Sequence, residues 1–79
     1  MSMVDIGGKT FVQINDISHI LSLSNLLDKP IIRNAKAAGK LEILSYATVR
    51  SAVVLKDGTV ILTPIWAKML RNRIHSLIW

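Results

Sequence analysis

Ala52-Val53-Val54-Leu55-Lys56-Asp57-Gly58-Thr59-Val60-Ile61-Leu62-Thr63 is a pair of β-branched, aliphatic runs joined by an aspartate-glycine pair. β-Branched side chains suit a pleated surface, and Asp-Gly accommodates the positive φ of a tight reversal. Residues 52–56 and 59–63 therefore predict an antiparallel hairpin with a two-residue type I′ turn at Asp57-Gly58. Two strands here leave too little chain for the three helices of a helix-turn-helix module, the other fold considered.

Before the hairpin, Leu41 to Ser45 reads as a strand, and ahead of it Asp28-Lys29-Pro30 is a helix start. Asp28 supplies a capping carboxylate, and proline is tolerated in a first turn whose N–H groups have no intrahelical partner. Gly39 is the matching stop, and Ile31, Ile32, Ala35 and Ala38 form an apolar stripe between the two. Ser24 to Leu27 predicts an irregular turn ahead of this helix. Nearer the N-terminus, Met3 to Ile6 predicts a short strand and Gly7-Gly8 a turn. Thr10 to Ile14 and Ile17 to Leu23, separated by Asn15-Asp16, predict two antiparallel strands. After the hairpin, Thr63-Pro64 repeats the cap-plus-proline signal and opens a second helix toward His75, with Trp66, Leu70, Ile74 and Leu77 on one side, joined by Ile65 and Met69. Lys68, Arg71, Asn72 and His75 take the other side. The expected fold is α+β: a small, largely antiparallel sheet with one internal helix and a C-terminal helix, in one domain spanning 1–79.

A chain of 79 residues buries a modest fraction of its surface and needs reinforcement. It has no cysteine for a disulfide, and His19 and His75 are too few for a structural zinc site, so no metal or other cofactor is expected. Self-association remains. Trp66, Met69, Leu77, Ile78 and Trp79 exceed what one small core absorbs, and they are the expected interface of a closed homo-oligomer. The apolar share is 51% but is dispersed, with no stretch near the roughly 20 residues a bilayer needs. With no signal-peptide pattern at the start, the expected location is the cytoplasm.

Few residues offer chemistry. Asp28, Asp16 and Asp57 are explained as cap and turn residues and Glu42 as a strand charge; no carboxylate pair emerges with Asp5. His19 could serve Ser18, Ser22 or Ser24 as a base, but no acid partner is placed beside it. Gly7-Gly8-Lys9-Thr10 resembles the end of a phosphate-binding loop, yet Met3 stands where the earlier glycine is required, and a strand follows where a helix should. The expectation is a protein that is not an enzyme.

Charge is more informative: ten Lys and Arg against five Asp and Glu give +5. Such an excess favours a polyanion, nucleic acid first and an anionic membrane second, although a basic surface can also serve solubility alone. Lys29, Arg33, Lys36 and Lys40 recur at intervals of four, three and four, within a sector of roughly 60° opposite the apolar stripe. No acidic residue interrupts them, although like charges at this spacing repel by a few tenths of a kcal/mol per pair. A second basic set, Lys68, Arg71 and Arg73, sits on the last helix, as surface or as interface. Neither helix combines a long basic face with the apolar moment of an interfacial anchor, so a membrane is the less expected partner. Phe11, Tyr46, Trp66 and Trp79 do not form the spaced platform that single strands prefer, so aromatic stacking on bases is expected to be minor.

In order and spacing, Ile6-Gly7, Asn15-Asp16-Ile17, Ala35-Lys36, Gly39-Lys40-Leu41, Arg50-Ser51-Ala52-Val53-Val54, Val60-Ile61-Leu62-Thr63-Pro64 and Arg71-Asn72-Arg73 resemble the extracellular-matrix regulators RemA and RemB. The resemblance covers nearly the whole chain. It implies a transcriptional regulator of biofilm-matrix genes whose rings present arginines to DNA. Thr48 and Val49 stand where two of the basic residues of RemA-type chains would be, leaving Arg50, and Asp16 stands where such chains carry arginine. The Thr63-Pro64 start and the basic last helix look more like the RemB type. Lys29, Arg33, Lys36 and Arg50, with Lys40, are the expected DNA contacts, Arg50 being placed to reach a groove because it precedes a strand. The alternative is a structural or scaffold oligomer that binds a protein partner without DNA.

Overall fold

The structure, a computed structural model, describes residues 2–22, 29–45 and 48–78. Strands β1 (Met3–Asp5) and β2 (Phe11–Gln13) lead through a 3-10 turn at Ile14–Asp16 into β3 (Ile17–Ser22). Helix α1 (Pro30–Ala37), strands β4 (Leu41–Ile43), β5 (Ser51–Leu55) and β6 (Val60–Thr63), and helix α2 (Ala67–Ile78) follow. The domain is α+β with mainly antiparallel pairing, as the sequence predicts.

The β5–β6 hairpin is the centre of a four-stranded sheet of order β3-β5-β6-β4. Its turn differs from expectation. Gly58 N donates to Leu55 O at 3.0 Å and Leu55 N to Thr59 O at 2.8 Å, so the loop is Lys56-Asp57-Gly58 rather than a two-residue turn. Gly58 has φ +95° while Lys56 and Asp57 do not enter the positive region, which makes this a type I turn closed by a glycine bulge instead of type I′.

The N-terminal pairing is also corrected. β2 does not pair with β3; it pairs antiparallel with β1, while β3 pairs antiparallel with β5. The 3-10 turn moves the chain from one sheet to the other, and Asp16 O accepts from Lys56 N at 2.9 Å, which seats the start of β3 beside β5. The Gly7-Gly8-Lys9 segment is the turn between β1 and β2: all three residues have positive φ, and Ile6 N reaches Thr10 O at 2.9 Å.

Because β3 and β4 both run parallel to β6, α1 is the crossover connecting the two edges of the sheet. Its buried Ile32 and Ala35 lie on Ala52, Val54, Val60 and Leu62. On the opposite face Val53 and Ile61 are covered by Val4 and Ile6 from the β1–β2 hairpin and by Leu70 of α2. The sheet is thus apolar on both faces, which explains why β5 and β6 are buried at nearly every position.

Helix ends follow local chemistry at one helix and not at the other. At the end of α1, Gly39 takes φ +71°, with Gly39 N bonded to Lys36 O and Lys40 N to Ala35 O, a Schellman closure. Pro30 occupies the first turn as expected, and Lys29 is the N-cap residue without a side-chain bond; Asp28 and Ser24 to Leu27 lie outside the described residues. The second helix starts at Ala67, not at Thr63-Pro64. Thr63 is fully buried as the last residue of β6, and its hydroxyl donates to Ile6 O while accepting from Ile65 N, so it joins strand to hairpin instead of capping a helix.

Candidate nucleic-acid interface

Helix α1 buries one side and charges the other. Ile32 and Ala35 face the sheet, while Arg33 and Lys36 are exposed and Lys29 is half-buried at the N-cap. The first turn contains no acidic residue. Cations at this end oppose the partial positive charge of the helix N-terminus by about 0.3–1 kcal/mol each. Among the described residues, nothing hydrogen-bonds or ion-pairs with the side chains of Lys29, Arg33 or Lys36. Among the described residues the three form a row without an acidic partner, Arg33 and Lys36 on α1 and Lys29 at its N-cap.

Lys40 is placed apart from that row. It follows the Schellman closure, and its Nζ donates to Asp57 O at 2.7 Å, tying the end of α1 to the β5–β6 turn. The Thr59 backbone N–H, donating to Asp57 Oδ1 at 2.9 Å, holds the Asp57 carboxyl below the usual carboxylate range, with the Thr59 hydroxyl and the Lys40 charge assisting. Val60 N donates to Lys40 O, and Arg50 N donates to Thr63 O. Lys40 and Arg50 therefore sit at opposite ends of β6 and on its two different sides.

Arg50 meets a residue that sequence reasoning assigned to a different role. Its guanidinium carbon lies 4.2 Å from the centroid of the Trp66 ring. Trp66 is 54% exposed and precedes α2, accepting from Leu70 N at 3.1 Å. Ser51, fully buried, donates to Ile65 O at 2.6 Å and so fixes the segment carrying Trp66 to the start of β5. Ser51 and Thr63 are the buried polar residues that frame this corner; Thr63 was read from sequence as a helix cap, and Ser51 was given no role. The available signal is position, since Ser51 opens and Thr63 closes a run of core aliphatics.

The second basic set divides. Arg71 Nη2 donates to Ile20 O on the edge strand at 3.2 Å, and Arg73 Nη1 to Asp5 O at 2.8 Å. All three are exposed, but Arg71 and Arg73 fasten α2 to the strands beneath it, whereas the Lys68 side chain makes no such bond among the described residues. Of the expected interface residues, Trp66, Met69 and Leu77 are about half exposed, at 54%, 49% and 46%. The Ile78 side chain and Trp79 lie outside the described residues. Met3 and Phe11 add to the exposed apolar surface, at 46% and 56%, and were missed. Their alternation with buried Val4 and half-buried Val12 in short strands was the signal available. On α2 the buried line is Ala67, Leu70 and half-buried Ile74, because the helix begins after Trp66.

Ser18 Oγ and His19 Nδ1 are 3.1 Å apart, both exposed on β3 beside a register shift, with no carboxylate in contact among the described residues. Among those residues no group of three His, Asp or Glu is disposed to hold a metal ion, and no helix is long and apolar enough to cross a membrane.

A family model described as RemA-like, Extracellular matrix regulatory protein A-like, matches residues 3–74. This chain belongs to the RemA-like family. No curated protein matches it. The RemA-like span runs from the start of β1 into α2 and includes Lys29, Arg33, Lys36, Lys40, Arg50, Trp66 and Met69, while Leu77, Ile78 and Trp79 fall beyond it.

Proposed function

We propose that this RemA-like chain is a transcriptional regulator of the biofilm-matrix type, of the RemB branch, that acts without catalysis or a cofactor. It works in the cytoplasm as a ring-shaped homo-oligomer on double-stranded DNA. The observation that carries the reading is the row Lys29, Arg33 and Lys36 on the outer side of α1, unbalanced by acid and unpaired among the described residues. Such a row neutralises phosphates and releases counterions, which supplies affinity without sequence discrimination. Arg50 adds a guanidinium that can clamp phosphate or read a groove. One subunit offers few charges, so affinity grows when several copies engage one duplex at high effective concentration. The exposed Trp66, Met69 and Leu77 supply apolar surface for that assembly.

Fluorescence anisotropy with a labelled duplex at low salt tests the reading, together with light scattering on the full chain and on a variant lacking Leu77 to Trp79. The expected results are saturable binding, an oligomeric mass for the full chain and a smaller one for the truncation. A full-length monomer at micromolar concentration would remove the ring. Absence of binding to any duplex would leave the scaffold that binds a protein partner.

A further inference from the structure

We infer that Trp66 is the positioning residue for Arg50, holding its guanidinium by the face so that the in-plane N–H donors stay available to nucleic-acid phosphate or a base edge. This rests on the DNA reading above and assigns within it a role to a residue otherwise expected only at a subunit interface. The geometry is specific. The guanidinium carbon is 4.2 Å from the Trp66 ring centroid, within the distance at which a cation is drawn to an indole face. The Arg50 side chain has no hydrogen-bond acceptor among the described residues, in contrast to Arg71 and Arg73, whose guanidinium groups are committed to the carbonyls of Ile20 and Asp5. Of these three arginines, Arg50 lies over an aromatic ring and, among the described residues, has its donors open.

Both partners are anchored to the core. Arg50 N is bonded to Thr63 O at 2.9 Å, one residue before the buried Ser51. Ser51 Oγ reaches Ile65 O, next to Trp66, and the Trp66 carbonyl receives the first helical bond of α2. A free arginine surrenders considerable rotamer freedom on binding phosphate; one already stacked on a fixed indole surrenders less, so its hydrogen bonds contribute more to affinity. Trp66 is 54% exposed and belongs to neither buried cluster, so removing it leaves Leu62 on one face of the sheet and Val53 and Leu70 on the other in place.

The test is a double-mutant cycle on duplex affinity at low salt, using Arg50→Ala, Trp66→Ala, the double variant and Trp66→Phe, with the mass of each checked by light scattering. Trp66→Ala should weaken binding by a factor of about two to five per contacting subunit, the range of an exposed cation–π contact. Adding it to Arg50→Ala should change nothing further, and Trp66→Phe should restore most of the loss because it keeps an aromatic face. In a Trp79→Phe background, Arg50→Ala should alter the emission of Trp66. Wild-type affinity in Trp66→Ala overturns the assignment, as do strict additivity with Arg50→Ala and a loss that appears only with a change of mass. In each of those cases the DNA reading survives through the α1 row. Failure of the wild-type chain to bind any duplex removes that reading and this assignment together.

Discussion

Replacing Thr63 by valine removes a hydroxyl and almost no volume. The side chain is fully buried, its Oγ1 donates to the carbonyl of Ile6, itself 1% exposed, and Ile65 N donates to it at 3.2 Å. Valine leaves both groups without partners and introduces no cavity. With about 1–3 kcal/mol for the buried Ile6 carbonyl left unsatisfied and about 1 kcal/mol for the half-buried Ile65 N–H, the expected loss is about 2–4 kcal/mol. That is a large part of the roughly 5–15 kcal/mol typical of a folded domain. Thr63→Ser makes the opposite change, keeping both hydrogen bonds and deleting one methyl, at about 1 kcal/mol. Urea unfolding followed by circular dichroism, at one fixed protein concentration because self-association would add to stability, gives both values. The valine variant should be the less stable of the two. If serine proves as damaging as valine, Thr63 acts by filling space and the polar frame of this corner has been misread.

Other consequences are equally open to measurement. Leu70→Ala, at a fully buried position between Val53, Ile61 and the β1–β2 hairpin, should cost about 2–5 kcal/mol in the same urea experiment. Gly58→Ala places a side chain at φ +95°, and should lower stability by about 1 kcal/mol or more although the nearest atoms lie 3.8 Å away on the Lys40 side chain. Folding lowers the pKa of Asp57, so its ionised form favours the folded state: that stabilisation is present above the ordinary aspartate value and is lost as pH falls through the lower, folded one. Asp57→Asn should therefore flatten the acid limb of a plot of urea midpoint against pH, and an unchanged limb would contradict the assigned Thr59 bond.

What could be read from sequence was local. Asp57-Gly58 between aliphatic runs marks a hairpin because positive φ at one residue and two strand-forming flanks suffice, although the sequence does not show whether Lys56 joins the loop. Pro30 and Gly39 bracket α1 for the same kind of reason, and the phase of Ile32, Ala35, Arg33 and Lys36 on that helix is the phase observed. Pairings between distant segments were not legible. β2 and β3 are each strand-like, and nothing local tells β2 to join β1 while β3 joins β5; that depends on the Asp16 carbonyl meeting Lys56 N. Thr63-Pro64 was misread because a cap and a strand end use the same residue types, and only the burial of Thr63 against Ile6 separates them. The Arg50–Trp66 stack joins positions sixteen residues apart across a hairpin, a contact that neither periodicity nor charge spacing reveals.

The central claim is that the α1 row carries DNA binding through phosphate contacts, and the dependence of duplex affinity on salt measures this most directly. Each neutralised phosphate contributes about 0.9 to the slope of log affinity against log salt concentration. Comparing the wild type with a Lys29→Ala, Arg33→Ala, Lys36→Ala variant should show a slope shallower by roughly 2–3 for each subunit in contact with the duplex, with folding and mass unchanged. Identical slopes in the two proteins would contradict the account, because the row would then touch no phosphate.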